Sequence, residues 1–199
     1  MIVGLTGGIG SGKTTVAALF DAFDSVAVYN ADMEARKIMN SSQIIRTQLI
    51  AAFGKEAYKE KLLNRTYVAN IVFENKEKLA ILNSIVHPEV KRNFQKFVAA
   101  NTHKTYILYE SAILFESKSA QQFDFVISVF VPLEQRIQRV LARDNTTRKE
   151  VLSKINNQWK GDKTVFLSNY IINNDTLQET AASVVKIHNV LTKKALHIL

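Results

Sequence analysis

Cysteine is absent from the 199-residue chain. That excludes a disulfide framework, a zinc site built on thiolates and a thiol nucleophile. It suits a reducing cytosol, so a cytoplasmic location is expected. Proline occurs only twice, as Pro88 and Pro132, and no linker rich in Gly, Pro or Ser divides the chain. A single domain with a small insertion is expected at this length. No run approaches the roughly 18 to 20 uncharged apolar residues that a membrane helix needs. The opening MIVGLT lacks a basic lead and a small-residue cleavage site, and is expected to form a first strand, not a signal peptide.

Apolar residues make up 47% and charged residues 22% of the chain, as in an ordinary globular protein. The formal charge is +8. Solubility alone accounts for such a charge, but an anionic partner does so too. The basic residues are scattered instead of forming long runs, which favours small polyphosphates over nucleic acid or a membrane surface. Neither of the latter is expected as a partner.

Strand-like runs alternate with helical patterns. Residues 2–6, 25–29, 105–110, 123–131 and 170–172 read as strands. Residues 14–23 have Val16, Leu19, Phe20 and Phe23 at helical spacing. Such alternation predicts parallel βαβ units in an α/β sheet flanked by helices. Residues 32–101 show no convincing strand and read as several helices. The longest lies around residues 76–100, and Pro88 should break or restart it. Pro132 stands where a helix should begin.

Residues 7–14, GGIGSGKT, satisfy the phosphate-loop pattern G-x-x-x-x-G-K-[ST] completely. Glycines let backbone N–H groups turn inward around phosphate oxygens. A helix starting near Lys13 aims its positive dipole end at the same phosphates. Lys13 can reach the β- and γ-phosphates, and the Thr14 hydroxyl can ligate Mg²⁺. ATP and Mg²⁺ are therefore the expected cofactors. The expected nucleotide contacts are Gly8, Gly10, Ser11, Gly12, Lys13, Thr14 and Thr15. There is no N-K-x-D for guanine; the nearest string, at residues 75–78, lacks the aspartate. A small-molecule kinase remains.

Asp32 lies just past the second strand. A carboxylate there can accept the proton of an attacking hydroxyl, or it can cap the following helix. Glu110 ends the third strand on the same edge. It can orient Mg²⁺ through water, bind substrate or serve the structure. Arg136, Arg139 and Arg143 fall on one helix face, opposite Leu133, Ile137, Val140 and Leu141. They read either as a solvated basic face or as arginines of a lid that closes over the transferring group. Residues 147–150 match a capping box. No two histidines have metal-ligand spacing. His103, His188 and His197 are expected at the surface, and Trp159 in packing.

These segments resemble the dephospho-CoA kinase family over nearly the whole chain. The resemblance rests on GLTGGIGSGKTT, NADMEAR, LNRTYVANIVF leading to LNSIVHPEV, YESAILFE, RVLARD and NYIINND. It implies phosphoryl transfer from ATP to the ribose 3′-hydroxyl of dephospho-CoA, giving coenzyme A and ADP. It also implies a P-loop kinase core with a helical CoA-binding part at about residues 32–101 and a lid at about residues 133–163. By this matching Asp32 is the base, Arg139 and Arg143 are lid arginines, and Arg65 and His87 lie on the acceptor side. The chain departs from the family pattern at four places. Asn30 replaces the first aspartate of D-A-D, and Ala112 stands at the proline of P-L-L-F-E. The basic residue after Gln158 is displaced, with Lys163 nearest. Asn169 begins the D-x-V-I-x-N segment. Two rivals stay open: a nucleoside or nucleotide kinase, and a module that binds ATP without turnover.

Overall fold

The computed structural model describes residues 1–73, 75–117, 120–156, 158–159 and 161–196. In chain order the elements begin β1 (Ile2–Thr6), α1 (Lys13–Asp21), β2 (Val26–Asn30), α2 (Ala31–Ser41) and α3 (Gln43–Phe53). Next come β3 (Tyr58–Lys59), β4 (Leu62–Leu63), α4 (Arg65–Phe73) and α5 (Lys76–Ala100). The chain ends with β5 (Tyr106–Glu110), β6 (Phe125–Phe130), α6 (Leu133–Arg143), α7 (Arg148–Asn156), α8 (Gly161–Phe166), β7 (Tyr170–Asn173) and α9 (Leu177–Leu196). Among the described residues no helix is long and apolar enough to cross a membrane. Two compact units result: Met1–Asn30 together with Asn101–Leu199, and Ala31–Ala100.

The first unit holds a parallel sheet in the order β2-β5-β1-β6-β7. A parallel sheet is covered on both faces, which is why its strands are continuous apolar runs. On one face Val3, Leu5, Ile127 and Val129 pack against Val16 and Phe20 of α1 and Val184 and Leu191 of α9. Burying a side chain like Phe20 contributes roughly 1.5–3 kcal/mol. Leu114, Phe115 and Val126 form a second cluster with Tyr109 and Phe123. There Gly4 has no room for a side chain, since a Cβ would come within 2.6 Å of Leu114. Ile137, Val140 and Val151 close α6 onto α7, with Ile9 packed against them.

His188 is not at the surface. It is buried on α9, hydrogen-bonded to the Tyr106 hydroxyl at 2.9 Å and stacked on Phe23 with ring centroids 3.8 Å apart. The helical spacing of α9 puts it one residue after Ile187 on the core-facing side, and a neutral imidazole with one satisfied nitrogen packs there as an aromatic. Burial lowers its pKa from the ordinary value. His103 is exposed as expected; His197 lies outside the described residues. Trp159 stacks on Phe115 with the planes 7° apart, and the Lys163 ammonium sits 3.6 Å from its ring centre.

The second unit packs α2, α3 and α4 against α5. Ser42 caps α3 by accepting from the Ile45 N–H. Ile45, Leu49 and Phe53 of α3 are buried with Val68 of α4 and Val86 and Val90 of α5. Two expectations fail in this unit. Residues 58–63 form a small antiparallel hairpin, β3 with β4. Two-residue strands are too short to show periodicity, and Tyr58 is held by a long-range bond from its hydroxyl to the Met39 carbonyl at 2.7 Å. Pro88 also does not break the long helix: α5 is one 25-residue element with Pro88 inside. The ring removes only the bond to the Ser84 carbonyl. Twelve residues on each side keep their own turns, while buried Val86 and Val90 flank the proline and fix both halves against the same neighbours.

Candidate active site

β1 delivers the chain into a tight loop at its carboxyl end, and α1 starts at Lys13. Gly10 and Gly12 have φ of 79° and 84°, the left-handed region that other residues adopt only at a cost. Gly12 is the N-cap of α1, and no side chain caps the helix there. The positive end of the helix dipole therefore faces the loop, which is the physics of an anion site. The Lys13 ammonium folds back over the loop, donating to the Gly7 carbonyl at 2.6 Å and the Gly8 carbonyl at 3.5 Å.

Side chains from distant elements hold the loop from outside. Arg136 donates from Nε to the Ile9 carbonyl at 2.9 Å, and the Ile9 N–H donates to Gln158 Oε1 at 2.8 Å. Asn174 donates from Nδ2 to the Ser11 carbonyl at 2.8 Å and accepts from the Thr180 hydroxyl at 2.9 Å. Arg139 donates to the Asn174 carbonyl at 2.8 Å. A Cβ on Gly12 would come within 2.1 Å of Asn174 Nδ2. Ser11 Oγ is buried without a hydrogen-bond partner among the described residues.

Next to the loop, Thr14 donates from Oγ1 to Glu110 Oε1 at 3.1 Å. Asn30 donates from Nδ2 to Glu110 Oε2 at 2.5 Å. Strand register explains the meeting: Glu110 of β5 is opposite Asn30 of β2 and Leu5 of β1. Glu110 is 3% exposed, so its carboxylate leaves water only because both oxygens are met by donors. The asparagine at position 30 thus presents an amide donor to Glu110 where an aspartate would add a second carboxylate.

Arg143 is exposed and makes a two-pronged pair with Asp144 at 2.8 and 2.9 Å. The capping box forms: the Thr147 hydroxyl and N–H both donate to Glu150 Oε2, and the Glu150 N–H returns to the Thr147 hydroxyl. Arg148 reaches back from α7 to Glu134 of α6 at 2.6 and 2.8 Å. Those bonds, with a further one from Gln138, hold the Glu134 carboxyl down at about 2.

Gly8, Gly10, Ser11, Gly12, Lys13, Thr14, Thr15 and Arg139 are thus brought together in the first unit. Thr14 and Thr15 are exposed. Asp32, Arg65 and His87 belong to the second unit, and all three are exposed. Asp32 is the second residue of α2. That is inside the first turn and past the cap position, and no side-chain hydrogen bond of Asp32 occurs among the described residues. Arg65 opens α4, and His87 precedes Pro88 in α5. The sequence reading missed Arg136, Gln158 and Asn174 as loop partners. For Asn174 a signal existed, since it closes the N-Y-I-I-N-N segment. For Arg136 the solvated-face reading hid it: Arg136 is buried while Leu133, assigned to the core side, is half exposed.

A family model described as dephospho-CoA kinase matches residues 1–179. The chain is 34% identical to the dephospho-CoA kinase of Bacteroides fragilis over 173 residues, covering 87% of this chain and 84% of the relative. It is 36% identical to that of Carboxydothermus hydrogenoformans over 176 residues, covering 87% and 85%. Among solved structures it resembles the crystal structure of TT1252 from Thermus thermophilus, with a TM-score of 0.85, 28% identity and 96% of each chain covered. A dephospho-CoA kinase from Campylobacter jejuni shares the fold at a TM-score of 0.69 and 23% identity, covering 97% of this chain and 98% of its own. A shikimate kinase from Bacteroides thetaiotaomicron shares the fold at 0.53 and 16%, covering 96% and 98%.

Proposed function

The chain belongs to the dephospho-CoA kinase family, and we propose that it transfers the γ-phosphoryl group through Lys13, Asp32, Arg139 and Arg143. The enzyme phosphorylates the ribose 3′-hydroxyl of dephospho-CoA with ATP, giving coenzyme A and ADP. The observation that carries the kinase reading is the loop itself: a helix dipole and the Lys13 ammonium converge on one backbone cradle.

The triphosphate lies along the loop, where backbone N–H groups of the loop and of the first turn of α1 meet its oxygens, while the Ile9 N–H stays on Gln158. Lys13 exchanges its two loop carbonyls for the β- and γ-phosphates. Asp32 accepts the proton of the 3′-hydroxyl as that oxygen bonds to the γ-phosphorus and the bond to the bridging oxygen of ADP breaks. Its freedom from capping bonds supports this role, as does its place two residues past Asn30 on the chain leaving the sheet edge. Arg139 and Arg143 neutralise charge on the transferring group. The hard oxygens of Thr14 and Glu110, which already share a hydrogen bond, fit Mg²⁺. Those two residues would hold the ion, directly or through water, and it would supply charge neutralisation on the phosphates.

The unit Ala31–Ala100 is assigned to the acceptor. It carries Arg36, Arg65 and Lys91 for an acceptor with its own pyrophosphate; Arg92 is paired with Glu89 at 2.5 Å. His87 belongs to the same assignment. A cytoplasmic location is part of this reading and suits a chain without cysteine. The test is a phosphoryl-transfer assay with ATP and equal concentrations of dephospho-CoA, adenosine, AMP and shikimate. Product mass and phosphorus NMR should place the new phosphate on the 3′-oxygen. Preferred phosphorylation of AMP or a nucleoside would overturn the acceptor while leaving the phosphate-loop kinase intact.

A further inference from the structure

Arg136 is the one buried arginine or lysine among the described residues, 8% exposed. Two features of its surroundings are unusual for a buried cation. It has no carboxylate partner among the described residues; the ion pairs of α6 belong to Arg143 and Glu134 instead. Its guanidinium is also wrapped by the phosphate loop. Nε donates to the Ile9 carbonyl at 2.9 Å. A Cβ on Gly8 would come within 2.1 Å of Nη2 and 2.5 Å of Cζ, and a Cβ on Gly10 within 2.5 Å of the Arg136 carbonyl. Gly10 is therefore required by the Arg136 backbone as well as by its own left-handed φ, and a side chain at Gly8 would push the Arg136 guanidinium from its place.

Lys13 meets the same residue from its carbonyl, 3.5 Å from the Gly8 oxygen. Two cations thus converge on Gly8. Burial lowers the Arg136 pKa from its ordinary value, yet a guanidinium stays protonated in proteins. A buried charge without a counter-charge is costly. A fold keeps one where a ligand supplies the opposite sign, and the ligand of this loop is a polyphosphate.

We propose that Arg136 is a positioning residue for the nucleotide phosphates: it fixes the loop through the Ile9 carbonyl, and its buried charge is balanced by the bound polyphosphate. This rests on ATP binding at the loop. It separates Arg136 from Arg139 and Arg143, which act on the transferring group.

The test titrates wild type, Arg136→Gln and Arg136→Lys calorimetrically with ATP, AMP and inorganic tripolyphosphate, and melts each free protein. Glutamine keeps a donor for Ile9 and loses the charge; lysine keeps the charge and loses the planar fork. Arg136→Gln should weaken ATP and tripolyphosphate by roughly tenfold or more, the scale of one charge–charge interaction at a partly buried site, and AMP far less. Its free form should melt no lower than wild type, because an uncompensated charge has been removed. Arg136→Lys should keep most of the preference for three phosphates over one. Unchanged tripolyphosphate affinity in Arg136→Gln, or the same loss for AMP as for ATP, overturns the proposal. If Arg136→Gln does not fold, Arg136→Lys decides: a preference for ATP over AMP that collapses to none overturns it. A wild type that binds no ATP would instead overturn the loop reading on which the proposal stands.

Discussion

Asn174 donates its side-chain amide to the Ser11 carbonyl at 2.8 Å, joining the end of β7 to the phosphate loop across 163 residues of chain. Its oxygen is held in turn by the Thr180 hydroxyl, so both ends of the amide are satisfied in a buried place. Asn174→Ala should leave the Ser11 carbonyl without this donor, while the Thr180 hydroxyl keeps its bond to the Thr176 carbonyl, and cost about 1–3 kcal/mol of stability, with weaker ATP binding. Urea unfolding and ATP titration read the two effects. Gly12→Ala should do worse, because it adds left-handed strain to a Cβ 2.1 Å from Asn174. Wild-type unfolding and ATP affinity in Asn174→Ala would mean that the loop holds itself.

Lys13→Ala should nearly abolish turnover, because it removes the loop ammonium beside the transferred phosphate. It also removes donors to the Gly7 and Gly8 carbonyls. Both are exchangeable with water, so the unfolding midpoint should move little. Steady-state kinetics with a parallel melt checks this. Near-native turnover would remove Lys13 from the mechanism.

Asp32 is exposed and makes no capping bond among the described residues. Asp32→Asn should therefore change stability by under about 0.5 kcal/mol. A lost general base should lower kcat and kcat/KM together by about 10² to 10⁴-fold, with ATP affinity nearly kept. A mutant that loses stability and keeps kcat would make Asp32 a structural residue.

The two lid arginines should separate. Arg143 is exposed and, among the described residues, bonded only to its neighbour Asp144, so Arg143→Ala should leave the unfolding free energy within about 0.5 kcal/mol and lower kcat. Arg143→Lys keeps charge without the fork and should fall between. Arg139→Ala also cuts the bond to the Asn174 carbonyl, so it should raise KM for ATP as well. Identical kinetic profiles for the two alanine variants would contradict this division.

His188 gives the stability a pH dependence. Burial lowers its folded pKa from the ordinary 6.5. Below about 6.5 the unfolded chain then binds more protons than the folded one, so stability rises with pH in that range. The contribution is full above the unfolded value and is lost as pH falls through the lower folded one. Chemical denaturation of wild type and His188→Gln between pH 7.5 and pH 5, the range in which such a group titrates, should show a shallower slope in the variant. Parallel curves would show that other groups set the acid sensitivity.

Local signals reveal themselves in sequence because they are made within a few residues. The phosphate loop was readable because left-handed glycines, a helix start and a lysine must follow in fixed order. The capping box at Thr147 and Glu150 was readable because a single turn closes it. The five strands of the sheet were readable from their apolar runs to within two residues at their ends. Where a local rule was applied alone it failed: packing of Val86 and Val90 carried α5 through Pro88, the core claimed His188, and α6 buried Arg136 while leaving Leu133 half exposed.

The family segments and the alternation of strand and helix thus came from the sequence, including the loop residues 7–14 and the candidate base Asp32. The sheet order β2-β5-β1-β6-β7 came only from the fold, because strand pairing joins segments whose sequences do not name their partners. That order alone sets Glu110 opposite Asn30 and lets Thr14 reach it. The same holds for the outer clamp of Arg136, Gln158 and Asn174, whose contacts with the loop span 127 to 163 residues. A chain shows the chemistry it carries locally; which distant side chain satisfies a buried carbonyl is decided when packing brings the two together and excludes water.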